Sequence, residues 1–456
     1  MIVTPMRMLN FGSDIRTESA KTDYLIAVQA PAFSLGAGRF ATESAFAAHL
    51  KELKLALGST FRRIVVIAPT FSEQHYKENR AILGELSAEL DEITFVPAFD
   101  LATTPRLFWT KEVGSLYRRL RPAFADAGVL HSGLASDIWE PYLVLVNLLA
   151  FFKRVPILFV VDIDFRQLSR RYYMSGVWNR KSYLINRCLH DPFKYIQVWL
   201  AVRACNLVLL KSPSMVAAFG SRQANVKDFL DAAHSAADVI SDERLEAKLV
   251  SRRGEDRRLE VVYFGRFVPY KGLDCIIEAV HLAVDQGAKI NLTLIGTGEC
   301  EGRLRQEVIS RGLGDTVTFA PMVKYGPPLF QLVDRADVAV AAPKVEDTPR
   351  AALDAMARGL PIVAFDIDYF LNLSEKSGAI ALAQWASPES LADRLVMLQN
   401  DRAIVERMAR NAVAFARNNT QEFWLNKRVR WMLEAINIKP ERPETVSNAS
   451  ANRRLS

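Results

Sequence analysis

Apolar residues along most of the chain alternate between short unbroken runs and longer stretches in which they recur every third or fourth position. The short runs predict buried strands and the longer stretches predict helices, because one face of a helix returns about every 3.6 residues. The first predicted helix is Phe40–Leu57. The predicted strands of this half are Tyr24–Val28, Arg63–Ala68, Ile93–Val96, Gly128–Leu130, Ile157–Val161 and Leu207–Leu210.

A second series of the same kind begins at Leu259. Its predicted strands are Leu259–Phe264, Leu292–Ile295, Val317–Phe319, Val338–Val340 and Ile362–Ala364. Its predicted helices are Leu273–Gln286, Arg350–Arg358, Pro388–Gln399, Asp401–Asn418 and Gln421–Ile436. Short strands separated by helices indicate βαβ units, so the pattern predicts an α/β protein with one parallel sheet in each half.

Domain boundaries are expected where the pattern stops or changes. Residues 1–22 show no period and are predicted to be a flexible arm, and residues 438–456 are predicted to be a disordered tail. The domains expected between them are an N-terminal α/β domain over 23–240, a charged linker over 241–258, a C-terminal α/β domain over 259–420, and a final helix over 421–437 that packs back toward the N-terminal domain.

The composition is that of a globular protein with a modest positive charge. The 456 residues are 50% hydrophobic and 24% charged, and the formal net charge is +7. A basic excess suits phosphate-bearing ligands, an anionic membrane surface or nucleic acid, and does not choose between them. The four cysteines are widely spaced, which predicts reduced thiols in a cytoplasmic protein rather than a zinc site or a disulfide framework.

The most apolar stretch, 142–161, is predicted to be a helix followed by a buried strand. Lys153, Arg154 and Pro156 interrupt it, whereas a transmembrane helix needs about 20 mostly apolar residues. The N-terminus has no continuous apolar region of the kind found in secretory signals.

A glycine-containing turn follows the first strand of the second half. Gly265 and Arg266 come directly after the strand, and Lys271 and Gly272 come just before the next helix. Glycines at such a turn let backbone amides approach a ligand, and a helix N-terminus favours an anion. Arg266 can hold a phosphate with two parallel hydrogen bonds, and Lys271 adds a point charge. A tight turn with two solvated cations explains the same residues.

A second glycine pair, Gly296 and Gly298, ends the following strand. Turn chemistry explains this GxG as well as ligand binding does.

Two carboxylates flank the start of a later helix. Glu346 lies in the loop before that helix, Pro349 suits its first turn, and Asp354 lies within it. The carboxylates could hold hydroxyls of a sugar and a ribose, and the amides at Thr348 to Ala351 could face phosphate, except at Pro349, which has no N–H. A solvated loop acid and a surface helix acid are the alternative interpretation.

The three motifs in this order resemble those of the family 4 retaining glycosyltransferases, also called glycosyl transferases group 1. The order is GRxxPxKG, then GxGE, then an acidic pair eight positions apart that runs into AMAxGxP, between Leu259 and Gln421. The resemblance implies the GT-B fold, in which two Rossmann-like domains face an interdomain cleft. It also implies that the C-terminal domain, 259–420, binds most of a nucleotide-sugar donor and that the N-terminal domain, 23–240, binds the acceptor. It implies no cofactor beyond this substrate and no bound metal.

The resemblance also implies roles for individual residues. Arg266 and Lys271 would bind the donor diphosphate, and Glu346 would bond hydroxyls of the donor sugar. Asp354 would take the ribose, where the family usually has Glu, and Asp347 stands where the family commonly has Gly. The other positions assigned to donor binding are Gly38, Gly265, Gly296, Gly298, Thr348, Pro349 and Arg350, with Met322 and Val323 contacting the base through their backbone.

Candidate residues of the N-terminal half follow its predicted strands. Gly38 lies in the predicted loop 33–39, where the family has a glycine-rich turn near the phosphates. His131 follows a strand and either serves the cleft or hydrogen-bonds within the fold. Asp162 stands where the family has an active-site histidine, and it either orients or deprotonates the acceptor or caps the next helix.

Residues 166–203 mix basic and aromatic side chains and contain one acid, Asp191. Such helices suit an anionic bilayer surface, where a lipid-linked acceptor would lie. Core-facing aromatic residues beneath a solvated basic face are the alternative, and no nucleic-acid-binding motif accompanies the charges. The basic residues are Arg166, Arg170, Arg171, Arg180, Lys181, Arg187, Lys194 and Arg203.

We therefore expect a retaining hexosyltransferase that moves a sugar from a UDP- or GDP-sugar to a glycan or lipid-linked acceptor. The expected setting is bacterial-type surface or exopolysaccharide biosynthesis, in the cytoplasm or on the inner face of the cell membrane, with no nucleic-acid partner. Two alternatives stay open, a catalytically silent glycosyltransferase-like partner in a polysaccharide assembly and a nucleotide-sugar epimerase.

Overall fold

Two sheets of mainly parallel strands, one in each half of the chain, form the framework of the protein. The computed structural model describes residues 22–80, 83–254 and 257–437. The predicted tail, 438–456, and all of the predicted arm except Thr22 lie outside the described residues.

The N-terminal sheet confirms each of the six strands predicted for that half. Its strands are β1 Asp23–Ala27, β2 Ala32–Gly36, β3 Arg39–Glu43, β4 Ile64–Thr70, β5 Leu83–Ser87, β6 Ile93–Asp100, β7 Ala127–Gly133, β8 Ile157–Val161, β9 Leu207–Leu210 and β10 Val226–Asp228. The parallel strands follow the spatial order β6-β4-β1-β7-β8-β9-β10. This order reverses at β1, as it does in Rossmann-like sheets.

An antiparallel hairpin, β2–β3, replaces the predicted loop 33–39 and the first turn of the predicted helix. The prediction that the helix begins at Phe40 is wrong, because the helix begins at Ser44. Gly36, Ala37 and Gly38 all have positive φ angles and form the hairpin turn. Phe40 is fully buried in β3, where burial in the sheet outweighs its place in a helical pattern.

The N-terminal half contains helices between the strands of its sheet and after the last of them. They are α1 Ser44–Leu57, α2 Glu73–Asn79, α3 Pro105–Leu107, α4 Val113–Ala125, α5 Tyr142–Lys153, α6 Leu168–Met174, α7 Arg180–Ile185, α8 Asp191–Ala204, α9 Pro213–Met215 and α10 Asp242–Ser251. Helices α4, α5 and α8 pack on one face and α1 packs on the other. Helix α10 lies within the segment predicted to be a linker.

The C-terminal sheet confirms the second series of strands and adds one. Its strands are β11 Leu259–Phe264, β12 Ile290–Ile295, β13 Val317–Ala320, β14 Val338–Ala341, β15 Ile362–Phe365 and β16 Ile380–Ala383. They are parallel, in the order β13-β12-β11-β14-β15-β16. The order reverses at β11, so the loops that follow β11 and β14 flank the place where such sheets bind ligands.

The helices of the C-terminal half are α11 Leu273–Asp285, α12 Glu301–Ser310, α13 Pro327–Val333, α14 Arg350–Ala357, α15 Asp368–Ser377, α16 Pro388–Asn400, α17 Arg402–Arg417 and α18 Gln421–Ala435. Within the described residues, no helix is long and apolar enough to cross a membrane. The sheets and helices together confirm the predicted α/β fold with two Rossmann-like domains.

One hydrophobic cluster extends through both domains. Helix α18 packs against α1 and β9 of the N-terminal domain. Its Leu425 and Met432 belong to the same buried cluster as Leu50 of α1 and Leu353 of α14. The two sheets are therefore joined by apolar packing as well as by the chain.

We predict that Leu425→Ala lowers the free energy of unfolding by about 2–5 kcal/mol, because it leaves a cavity in the cluster that joins the domains. Urea unfolding followed by circular dichroism measures the change. Phe423→Ala is the control on the same helix, since Phe423 is 45% exposed, and it should cost about 1 kcal/mol or less. Equal losses from the two variants would show that α18 does not join the domains in this way.

Candidate functional site

The turn after β11 is held against the loop after β14 by close backbone contact. Gly272, at the N-terminus of α11, has a positive φ angle of 68°. A Cβ atom there would clash with the carbonyl oxygen of Ala342. Only glycine fits this approach without displacement, and it brings Lys271 beside the loop that carries Glu346.

Gly296 and Gly298 pack against the same turn. A Cβ on Gly296 would meet the carbonyl oxygen of Gly265, and one on Gly298 would meet that of Phe267. Backbone hydrogen bonds from Phe267 to Thr297 and from Cys300 to Phe267 join the two loops. These contacts fit the alternative interpretation of the glycine pair, in which the glycines allow a tight turn rather than bind a ligand.

The Lys271 ammonium lies against a carboxylate in the cleft. Its Nζ donates to Asp347 Oδ2 at 2.5 Å, and both side chains are largely shielded from solvent. Arg266 is exposed and donates to the Tyr270 hydroxyl at 3.0 Å. A diphosphate that reached Lys271 would have to replace the Asp347 carboxylate.

Glu346 is buried, with 5% of its surface exposed. Burial raises its pKa to about 7, and the nearby Arg171 guanidinium partly opposes that rise. Arg171 Nη2 lies 3.0 Å from Glu346 Oε1. Glu346 is therefore a carboxyl group that gains or loses its proton near neutral pH.

Helix α6 of the N-terminal domain supplies that guanidinium. The same helix places Tyr172 near Asp347 and Tyr270, and burial raises the pKa of Tyr172. Next to the helix, the Thr348 hydroxyl donates to the backbone carbonyl of Asp162 at 3.2 Å. The cleft residues of the C-terminal domain thus contact α6 and the end of β8.

A polar network extends the contact between the domains. Arg166 donates to Asp164, which is 5% exposed, and to the Ser214 hydroxyl at 2.8 Å. Ser214 donates to Asp368 Oδ2 at 3.0 Å, so the network crosses from the N-terminal domain to α15. Arg166 and Arg171 are thereby engaged in the cleft, although the sequence grouped them with a membrane-facing segment.

The start of α14 borders the same cleft. Arg350 begins this helix after Pro349, and no side chain caps the helix. Asp354, within α14, is 4% exposed and accepts a hydrogen bond from the Tyr325 hydroxyl at 3.0 Å. His234 Nδ1 lies 3.7 Å from the same carboxylate. A ribose that bonds to Asp354 would have to compete with Tyr325.

Met322 and Val323 follow the carboxyl end of β13. Met322 is 56% exposed and Val323 packs partly against the core. Both therefore lie at the same edge of the sheet as the turns after β11 and β14.

His131 and Gly38 lie apart from this cluster. His131 is a residue of β7, on the face covered by α1 and α18, and its Nδ1 pairs with the Tyr24 hydroxyl at 2.8 Å. Burial lowers the pKa of His131 to about 3, so the ring is neutral. Gly38 lies in the β2–β3 turn, where its carbonyl accepts from Ala88 beside the edge strand β5.

Several residues of the cluster went unrecognised in the sequence. The pairs concerned join residues of different domains, and they are formed by Arg171, Ser214, Asp368 and Trp385. The periodicity of apolar residues along the chain does not predict such contacts between distant elements. Among the described residues, no group of three or more His, Cys, Asp or Glu side chains is arranged to hold a metal ion.

Part of the C-terminal half is similar to a known protein family. Residues 258–401 match the family model described as Glycosyl transferases group 1. The chain is 29% identical over 184 residues to an alpha-D-kanosaminyltransferase of Streptomyces kanamyceticus, which covers 40% of this chain and 47% of that protein. It is 28% identical over 167 residues to the amylovoran biosynthesis glycosyltransferase AmsK of Erwinia amylovora, and this alignment covers 35% of this chain and 39% of that protein. The alignments thus span less than half the length of these relatives.

Solved structures with the same fold extend over most of the chain. HepE of Anabaena, in complex with UDP and glucose, has a TM-score of 0.59 at 16% identity, covering 91% of this chain and all of that one. Sucrose-phosphate synthase of Thermosynechococcus elongatus has a TM-score of 0.62 at 15% identity, covering 91% of this chain and 99% of that one. Residues 258–401 are therefore similar to the glycosyl transferases group 1 family, and the chain has the two-domain GT-B fold.

Proposed function

We propose that the chain is a retaining glycosyltransferase that moves a hexose-type sugar from a UDP- or GDP-sugar to a glycan or lipid-linked acceptor. The observation that carries the proposal is the arrangement of Lys271 and Glu346 around the reversal point of the C-terminal sheet, within a domain of this family. The biosynthesis of a bacterial-type surface polysaccharide or exopolysaccharide is the proposed setting, in keeping with the name of the AmsK relative.

The chemistry we propose is stabilisation of the leaving diphosphate by fixed positive groups. Lys271 would exchange Asp347 for a phosphate oxygen, and Arg266 would turn from Tyr270 toward the ligand. The uncapped amides at the start of α14 would face the same charge. We expect transfer to proceed without a bound metal ion, which activity in the presence of a chelator would test.

The donor sugar is assigned to the neighbourhood of Glu346, and the ribose to that of Asp354. A neutral or charged Glu346 can bond to a hydroxyl, so the raised pKa is compatible with sugar binding near neutral pH. HepE was solved with UDP, with UDP and glucose, and with UDP-glucose. UDP-glucose is accordingly the first donor to test.

The acceptor is proposed to lie at an anionic membrane surface, where a lipid-linked glycan would be reached. Helices α5 and α8 cover the same face of the N-terminal sheet. On their outer sides, Phe152 is 77% exposed, Ile196 57% and Trp199 47%. Arg203 stacks on Trp199, with its guanidinium carbon 4.0 Å from the ring centroid. Apolar side chains mixed with cations are typical of surfaces that bind anionic bilayers.

Replacing Lys271 by Ala should weaken binding of a diphosphate nucleotide by about 10- to 100-fold, because a charge-assisted hydrogen bond is lost. Thermal-shift and calorimetric titration with UDP, GDP, ADP and their glucose or mannose derivatives measure it. Lys289→Ala, an exposed lysine before β12, is the matched control and should bind as the unmodified protein does.

The same titrations separate the alternatives. The absence of binding by any nucleotide or sugar nucleotide would contradict the proposed enzyme and favour a catalytically silent partner. Isomerisation of the donor without a new glycosidic bond would favour an epimerase.

Glu346→Gln should change the pH dependence of stability. The folded pKa of about 7 lies above the usual value of 4.5, so the stability contribution of Glu346 is present below pH 4.5 and is lost as the pH rises through 7. The variant should therefore gain stability relative to the unmodified protein between about pH 4.5 and 8, on the order of 3 kcal/mol.

Chemical unfolding at several pH values measures this difference, with the exposed Glu299→Gln variant as the control for loss of one carboxylate. A difference between Glu346→Gln and the unmodified protein that stays constant with pH would contradict the raised pKa.

The double substitution Phe152→Ser with Ile196→Ser should reduce binding to vesicles that contain an anionic phospholipid by more than about tenfold, because two apolar side chains no longer enter the bilayer. Co-sedimentation measures the bound fraction. Ile309→Ser is the control, since Ile309 is 75% exposed on α12 of the other domain. Equal binding by the double variant and the unmodified protein would rule out this surface.

A further inference from the structure

Three buried polar atoms beside the cleft lack hydrogen bonds. Among the residues that the structure describes, Arg171 Nη1, Glu346 Oε1 and Trp385 Nε1 have no hydrogen-bond partner. The ion pair at 3.0 Å brings Arg171 Nη2 close to Oε1, but without the alignment of a hydrogen bond. Buried donors and acceptors are nearly always satisfied in folded proteins, so each such atom calls for a partner.

The three atoms belong to one cluster. The Arg171 guanidinium carbon lies 5.2 Å from the centroid of the Trp385 ring, and the same guanidinium is paired with Glu346. Trp385 follows β16, at the carboxyl edge of the C-terminal sheet. Arg171 comes from the N-terminal domain, so the cluster is built from both domains.

The side chains are held in place on each side of the cleft. Tyr172, next to Arg171, stacks on Trp178 at 4.5 Å between ring centroids. The backbone amide of Trp385 donates to Asp366 Oδ1 at 2.6 Å. The backbone of Trp385 and the residue next to Arg171 are therefore anchored on the two sides of the cleft, which favours a defined position for the unsatisfied atoms.

The chemistry of the three atoms specifies the partner. Arg171 Nη1 and Trp385 Nε1 are donors, and Glu346 Oε1 is an acceptor when ionised. A hydroxyl group can accept from the first two and donate to the third. Neighbouring hydroxyls on one ring, which each donate and accept, match such a set better than a phosphate does, because a phosphate offers acceptors and would face the Glu346 carboxylate.

We propose that Arg171 and Trp385 are donor-sugar ligands, which donate hydrogen bonds to sugar hydroxyls while one of these hydroxyls donates to Glu346. This inference rests on the proposed function, since it takes Glu346 as the contact of the donor sugar. It assigns part of the donor site to the N-terminal domain. A free nucleotide diphosphate bonds the C-terminal domain alone, and the sugar joins the two domains through Arg171.

The test compares each sugar nucleotide with its own free diphosphate. Calorimetric titration uses UDP, UDP-glucose, UDP-galactose, UDP-N-acetylglucosamine, GDP and GDP-mannose. Arg171→Ala should lower the affinity for the sugar nucleotide that binds best by about tenfold or more. The affinity for the corresponding free diphosphate should change by no more than about twofold. Arg171→Lys should lose most of the affinity for the sugar nucleotide, because an ammonium lacks the fork of donors.

Two further variants separate hydrogen bonding from packing. Trp385→Phe keeps an aromatic face for Arg171 but removes the indole N–H. It should also lower the affinity for the sugar nucleotide and leave the affinity for the diphosphate unchanged. Arg170→Ala is the matched control, since Arg170 is the exposed neighbour of Arg171 on α6, and it should bind both ligands normally. A thermal unfolding scan of every variant shows whether it is folded.

The outcomes distinguish this inference from the function on which it rests. If the unmodified protein binds no nucleotide, the proposed function fails and the inference fails with it. If it binds the diphosphates but no sugar nucleotide more tightly, or if Arg171→Ala weakens both ligands equally or neither, the donor site stands and the inference is overturned. In that case ordered water alone satisfies the three atoms.

Discussion

The packing of α18 against α1 and β9 determines how the two Rossmann-like domains face one another. Its buried side chains belong to a cluster that also contains Leu50 of α1 and Leu353 of α14. Apolar packing of this kind resists displacement, because protein interiors are nearly close-packed. The contacts between Arg171 and Glu346, and between Thr348 and the end of β8, depend on that fixed relation.

Charge in the cleft is balanced before a ligand arrives. Lys271 is paired with Asp347, and Arg171 with Glu346. Unpaired charges at such depth would be costly, so each of these two buried cations is paired with a carboxylate. Under the proposed function, a donor nucleotide would exchange partners with the protein, because its diphosphate would replace the Asp347 carboxylate at Lys271.

The motifs of the C-terminal half can be predicted from the sequence because each of them is local. GRxxPxKG lies between one strand and one helix, and Glu346 and Asp354 bracket one helix start, so short-range sequence determines their neighbours. Parallel strands buried on both faces were equally clear as apolar runs. The hairpin β2–β3 was misread because Phe40 fits a helical period, and only its partner strands show that it is buried in a sheet. His131 sits on a strand, but its side of the sheet, which lies under α18, was not visible in the sequence.

The sequence by itself determined the α/β class, the two series of strands and the local motifs at the carboxyl ends of β11 and β14. These features follow from side-chain periodicity and turn chemistry, which act over a few residues. Only the tertiary structure decided that Arg171 enters the cleft rather than facing a bilayer, that Asp347 neutralises Lys271, and that Trp385 meets a side chain of the other domain. Such pairings join residues far apart in the chain, and they are settled by how the helices pack and which side of each element is buried.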